Sequence, residues 1–206
     1  MSRSRAPSRG STATPRRRNR KGMILRAAGD LFRQHGYHSV DMHAIGAAAG
    51  ISGPAIYTHF HGKAHLLAAL VEQALESIER ALERAEQVAD PHEAVECLVS
   101  ALVRLALEES YLAQLDLQES HRFPDTERAR LARLRNSVFR RQVALLQRLR
   151  PDLGEDELRF RVFTITNGLI GSASWAGLGM NRDAQSALLE RMALSALLVN
   201  DRGTLS

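Results

Sequence analysis

Residues 41–63, DMHAIGAAAGISGPAIYTHFHGK, leave few choices of local structure. Met42, Ile45, Ala48 and Ala49 recur at helical spacing. Asp41 stands just before them, where a carboxylate can accept bonds from the free amides of a first turn. Gly50 stops this helix, because glycine enters the left-handed conformation that a helix end requires. Ser52 can cap a second helix with Pro54 in its first turn, where the missing N–H costs little. That helix reaches about residue 60 and offers Ala55, Tyr57, Thr58 and His59 around inward-facing Ile56 and Phe60. Two short helices joined by a glycine-containing turn make a helix-turn-helix, whose second helix fits the major groove of double-stranded DNA.

Charge supports the same reading. The chain has 206 residues and a net charge of +5, but residues 1–64 hold eleven Lys and Arg against Asp30 and Asp41 alone, a net +9. The rest of the chain is then net −4. A polyanionic partner for the N-terminal part follows from electrostatics. Residues 1–15, MSRSRAPSRGSTATP, carry almost no apolar surface and read as a disordered basic arm.

Beyond the arm the pattern is all-α, with about nine helices. A first helix spans about 16–35 and ends at Gly36; the helix-turn-helix follows; a long amphipathic helix covers about 63–89. Asp90-Pro91-His92-Glu93 has the form of a capping box that opens a helix to about 109. Further helices are expected at about 111–120, 124–150, 155–177 and 182–200, the last capped by Asn181. The division expected is an arm at 1–15, a DNA-binding domain at 16–67, and a ligand-binding and dimerisation domain at 68–206. From Val162 to Asn181 no residue is charged, yet polar and glycine residues dilute the run too far for a membrane span. Burial between its own domain and a second subunit suits it, with Gly168 and Gly171 permitting close helix approach.

Leu31-Phe32, Gly36-Tyr37, Ile45, Ala49-Gly50-Ile51-Ser52, Ile56-Tyr57, His59-Phe60, Lys63 and Leu66-Leu67, taken in order, resemble the N-terminal signature of the TetR family of one-component transcriptional regulators. The resemblance covers about residues 22–67. It departs at Gly46, where alanine is usual, at Ala64, where an acid is usual, and at Asp41, where Thr or Ser is usual. It implies that Tyr57 and His59 touch backbone phosphate or a thymine methyl, that Lys63 meets a phosphate, and that Gly53 and Ala55 let the helix approach base edges. Asp41, His43, Ser52, Pro54 and Thr58 complete the residues expected at the DNA. Residues 121–161 resemble C-terminal domains of actinobacterial TetR-like regulators, some of which respond to acyl-CoA thioesters.

The middle helices are expected to enclose a largely apolar pocket, lined by Leu105, Tyr111, Leu115, Gln118, Phe139, Asn167 and Trp175. Asn167 is the sharpest of these, as a primary amide in an uncharged helix needs a partner. Cys97 reads as a small buried packing residue, and a single cysteine excludes an intrachain disulfide. Six histidines between His35 and His65 lack the spacing and companions of a metal site, so no metal or cofactor is expected. The arginines of 128–150 read as a solvated face with ion pairs, the alternative being an anion site. No Gly-x-Ser-x-Gly, P-loop or dinucleotide fingerprint is present, which argues against an enzyme. The N-terminus is basic but has no apolar signal segment, so a cytoplasmic location is expected. These readings combine into a homodimeric repressor, released from a palindromic operator by a small, largely apolar effector such as an acyl-CoA. The competing classes are an all-α ligand-binding protein or enzyme with an incidental helix-turn-helix, and a DNA binder with no effector.

Overall fold

A computed structural model of the chain describes residues 15–173 and 179–199. Apart from Pro15, the basic arm lies outside these residues, and so does Trp175. The described residues form α1 (Pro15–His35), α2 (Met42–Ala48), α3 (Gly53–Tyr57), α4 (Lys63–Glu86), α5 (Pro91–Glu119), α6 (Asp125–Leu149), α7 (Glu155–Ala173) and α8 (Arg182–Leu198), with a 3₁₀ turn at Ser120–Arg122. They divide between two compact units, Met1–Lys63 and Ala64–Ser206.

In the first unit, α2 packs on both α1 and α3. Its core is Ile24, Leu25, Ala28 and Phe32 of α1, Ile45 of α2, and Ile56 and Phe60 around α3. Gly36 closes α1 at a φ of 79°, which only glycine adopts without strain. The chain then folds Tyr37 edge-on against Phe32, with ring centroids 5.0 Å apart.

In the second unit α5 is central and packs on α6, α7 and α8, with Ala81, Leu82 and Ala85 of α4 joining the same core. Pro91 starts α5, where proline's missing donor costs nothing, and Asp90 accepts from the amides of His92 and Glu93. The break expected near residue 110 is a kink and not a gap. Glu109 takes a non-helical φ of −135° and ψ of 20°, and the helix continues to Glu119. The two helices expected at 90–109 and 111–120 therefore meet at Glu109 with no loop between them, and the run is numbered as the single α5 among eight described α-helices. A guanidinium N–H of Arg182 on α8 donates to the carbonyl of Leu107, just before the kink. Arg150 and Arg161 are both buried and hold the end of α8. Arg150 donates to the carbonyls of Leu198 and Val199, and Arg161 to those of Ala196, Leu197 and Val199. These carbonyls have no partner within their own helix and carry the negative end of its dipole, so cations suit them.

Cys97 is exposed, not buried as expected; its neighbours Leu98 and Val99 take the inward positions of that turn. The arginines of α6 behave as a solvated, ion-paired face. Arg130 pairs with Glu72 at 2.7 Å, Arg135 with Asp116 at 2.6 Å and Arg141 with Glu86 at 2.8 Å. Arg141 holds the Glu86 carboxyl below the usual range. Burial pushes the Asp116 carboxyl up, against the pull of Arg135. Among the described residues no helix is long and apolar enough to cross a membrane.

Candidate nucleic-acid interface

Asp41 accepts from the Ala44 amide at 2.7 Å and so fixes the start of α2. The turn after α2 places Gly50 at a φ of 67°, and the amides of Gly50 and Ile51 donate to the carbonyls of Ala47 and Gly46. α3 then begins at Gly53. Ser52 occupies the cap position with extended backbone, but its side chain makes no capping bond, which corrects the expected cap. α3 is also shorter than expected and ends at Tyr57. The Thr58 hydroxyl turns back to donate to the Ala55 carbonyl at 2.7 Å. This local bond competes with continuation of the helix.

The short helix is held by Ile56, fully buried, and by Phe60 just beyond it. Their burial sends Tyr57 outward, where it is 51% exposed despite its ring. Ala55 and His59 are half-buried, and His43, Ser52, Pro54 and Thr58 are exposed. Small residues, an exposed phenol and hydroxyls on one short helix fit approach to a DNA groove, since small side chains bring backbone near base edges and polar tips reach phosphate. Arg20, Lys21, Arg26 and Arg33 of α1 are exposed in the same unit, with Arg33 paired to Asp30. Gly46, the departure inside α2, is buried.

Lys63, for which the resemblance implied a phosphate contact, bonds the loop after α1 in this structure. Its ammonium donates to the carbonyl of Tyr37 at 2.8 Å and of His38 at 3.4 Å. It also lies 4.7 Å from the centre of the Tyr37 ring. Within this structure Lys63 straps the start of α4 to the loop after α1.

Two cavities lie among the described residues of the second unit, and of the residues expected to line a pocket Leu105 lines one of them. That cavity lies between Ser77, Ile78 and Ala81 of α4 and Leu105, Glu108 and Glu109 of α5. The other, smaller and more open, lies among α5, α6, α7 and α8. Tyr111, Leu115 and Phe139 are half-buried and line neither; Gln118 is exposed. Asn167 is exposed too and donates to the Phe163 carbonyl at 2.8 Å in its own helix, so the buried-amide argument does not apply to it. The buried amide belongs to Gln142, 5% exposed, which lines the smaller cavity. Its flanking arginines hid it in the sequence. The signal was its register: it stands four residues after Val138 and three before Leu145, on the apolar stripe of α6.

Residues 24–70 match the family model of the bacterial regulatory proteins, tetR family. The transcriptional activator FasR of Mycolicibacterium smegmatis is 36% identical over 62 residues, 30% of this chain and 28% of that protein. The regulator UidR of Escherichia coli K12 is 35% identical over 85 residues, 41% of this chain and 42% of that protein. These matches span less than half the length of either curated relative. The fold extends further. PfmR of Thermus thermophilus, a TetR family transcriptional regulator, superposes with a TM-score of 0.70 at 24% identity, covering 84% of this chain and 96% of that one. AibR, solved with isovaleryl coenzyme A and operator DNA, gives 0.69 at 17% identity, covering 85% and 96%. Residues 24–70 thus match the helix-turn-helix of the tetR family of bacterial regulatory proteins, and the helix order of the chain has the fold of PfmR and AibR.

Proposed function

We propose that the chain regulates transcription as a homodimer. Residues 16–67 bind a palindromic double-stranded DNA operator through α2 and α3. Residues 68–206 hold a small effector that releases the protein from its site, so that it acts as a repressor and not as an enzyme. The observation that carries this reading is the outward Tyr57 on a helix pinned by Ile56 and Phe60, in a segment of net charge +9. Such a helix presents a recognition surface, and the charge supplies the salt-sensitive, sequence-independent part of the affinity.

Dimerisation is supported by the outer face of α7. Phe160 and Phe163 are 69% and 59% exposed, and Asn167 and Gly171 continue the same row at helical spacing. Among the described residues, and apart from its own helix backbone and chain neighbours, a Cβ at Gly168 or Gly171 would meet no atom within 4 Å, which leaves room for a second chain. Met192 on α8 is likewise exposed. A second copy of this chain covers such a face by twofold symmetry. It would also place two α3 helices on successive major grooves, roughly 34–36 Å apart.

The test is selection of a binding sequence from random duplexes, then anisotropy titration and light scattering. The expected site is an inverted repeat bound by a dimer. Tyr57→Ala should lose about tenfold or more in affinity, and Phe163→Arg should give monomers that no longer bind the repeat. Parent-like operator binding by folded Tyr57→Ala would remove α3 from the interface. A Phe163→Arg dimer would remove α7.

A further inference from the structure

Six of the eight histidines stand between His35 and His65, and five of them, His35, His38, His43, His59 and His61, belong to the first unit. Histidine is the side chain whose charge changes between about pH 5 and pH 8. His35, His38, His43 and His61 are exposed, and His59 is half-buried. His38 also sets its ring edge-on against Tyr37, with centroids 5.4 Å apart. Acids are scarce around them. The helix that carries His43, α2, packs on α1 and α3. From Arg20 onward these helices and the loops between them hold Arg20, Lys21, Arg26 and Arg33 as bases, Asp30 and Asp41 as acids, and Tyr37 and Tyr57 as phenols. Lys63 follows at the start of α4. Both acids are already engaged: Asp30 pairs with Arg33 at 2.9 Å, and Asp41 accepts from the Ala44 amide. The sixth histidine differs. It stands in the second unit, where the Thr126 hydroxyl, with His65 behind it, holds the Glu127 carboxyl below its usual range.

We propose that His35, His43 and His61 couple DNA binding to protons: they are protonated as the duplex docks, so the chain holds double-stranded DNA more tightly as pH falls from about 8 to 6. This coupling rests on the reading that residues 16–67 bind DNA, and it adds a regulation to that reading. A phosphate beside an imidazole favours the charged form, so the bound state carries more protons than the free one. Linkage fixes the sign, because acid strengthens whichever state binds more protons. Each imidazolium that meets a phosphate also releases a further counterion. In the free chain the new charges find only Asp30 and Asp41 as acids in their own unit and repel the bases there. Acid therefore loosens the free first unit while it tightens the complex.

The experiment follows the anisotropy of a labelled random-sequence duplex titrated with the full chain, at about pH 8 and pH 6 and at several salt concentrations. Affinity at fixed salt should rise about tenfold or more on acidification, and the slope of log affinity against log salt should steepen by about 0.9 for each imidazolium that meets a phosphate. Calorimetry near pH 7, in two buffers of different ionisation heat, should show proton uptake on binding, a readout that needs no variant. The combined variant His35→Gln, His43→Gln, His61→Gln should lose most of the acid gain, its fold checked by circular dichroism at both pH values. His92→Gln with His121→Gln, outside the first unit, should keep the gain. Binding equally tight at both pH values, or without proton uptake, overturns the coupling and leaves the DNA reading intact. A parent-like gain in the folded triple variant overturns the assignment to these histidines, and so does its loss in the His92 and His121 pair. No binding to any duplex at either pH would refute the DNA reading itself, and this coupling with it.

Discussion

Lys63→Met tests whether the lysine at the start of α4 serves DNA or the fold. Methionine keeps the stem and removes the charge. The 2.8 Å bond to the Tyr37 carbonyl has a charged donor and is worth about 1.5–3 kcal/mol. The 3.4 Å contact to the exposed His38 carbonyl adds little, since water replaces it. The cation over the Tyr37 ring adds about 0.5–1 kcal/mol. Part of this is recovered because the freed Tyr37 carbonyl hydrates, which leaves a net cost of about 2 kcal/mol. Urea unfolding with hydrogen exchange of residues 24–60 would read that cost as earlier exposure of those amides. Operator affinity is then measured across salt concentrations at a temperature where the variant is folded. A lost phosphate contact lowers the slope of log affinity against log salt by about 0.9. The strap predicts lower stability with an unchanged slope. Parent-like stability with a slope reduced by about one would refute it and restore the phosphate role.

Arg161→Leu should destabilise the second unit by about 3 kcal/mol, because three carbonyls at the end of α8 lose their charged donor at a site 8% exposed; equilibrium urea unfolding measures it, and a loss under about 0.5 kcal/mol would show that those carbonyls are served by water. Arg135→Leu strands the Asp116 carboxylate, whose affinity for a proton burial already raises. A carboxyl raised in the folded state favours folding below its unfolded pKa and loses that contribution as pH rises through its folded one. The variant should therefore cost about 3 kcal/mol at pH 7 and distinctly less near pH 4, relative to parent at each pH. A penalty independent of pH would mean that lost packing of the arginine stem, and not the stranded charge, sets the effect.

The local grammar of the chain was legible because its causes act over a few residues. Asp41, Asp90 and Asn181 each accept from amides two or three positions ahead, wherever the helix later packs. Gly36 and Gly50 take positive φ because each ends its own helix. Where the local signals competed, the reading failed. Ser52 had the composition of a cap but formed no capping bond, and α3 ended at Tyr57, short of residue 60.

The sequence by itself therefore determined an all-helical chain, a basic N-terminal helix-turn-helix with Tyr57 turned outward, and the family model that this segment matches. Each rests on periodicity, capping, charge or motif order, which need no partner distant in the chain. Only the tertiary structure decided what the polar side chains do once the helices pack. It gave Lys63 to a carbonyl 26 residues away and Arg161 to one 38 residues away. It left Asn167 on the outside and enclosed Gln142 among aliphatic walls. The physical reason is that desolvation and hydrogen-bond partnership are set by which surfaces meet, and residues side by side in one helix can face opposite fates.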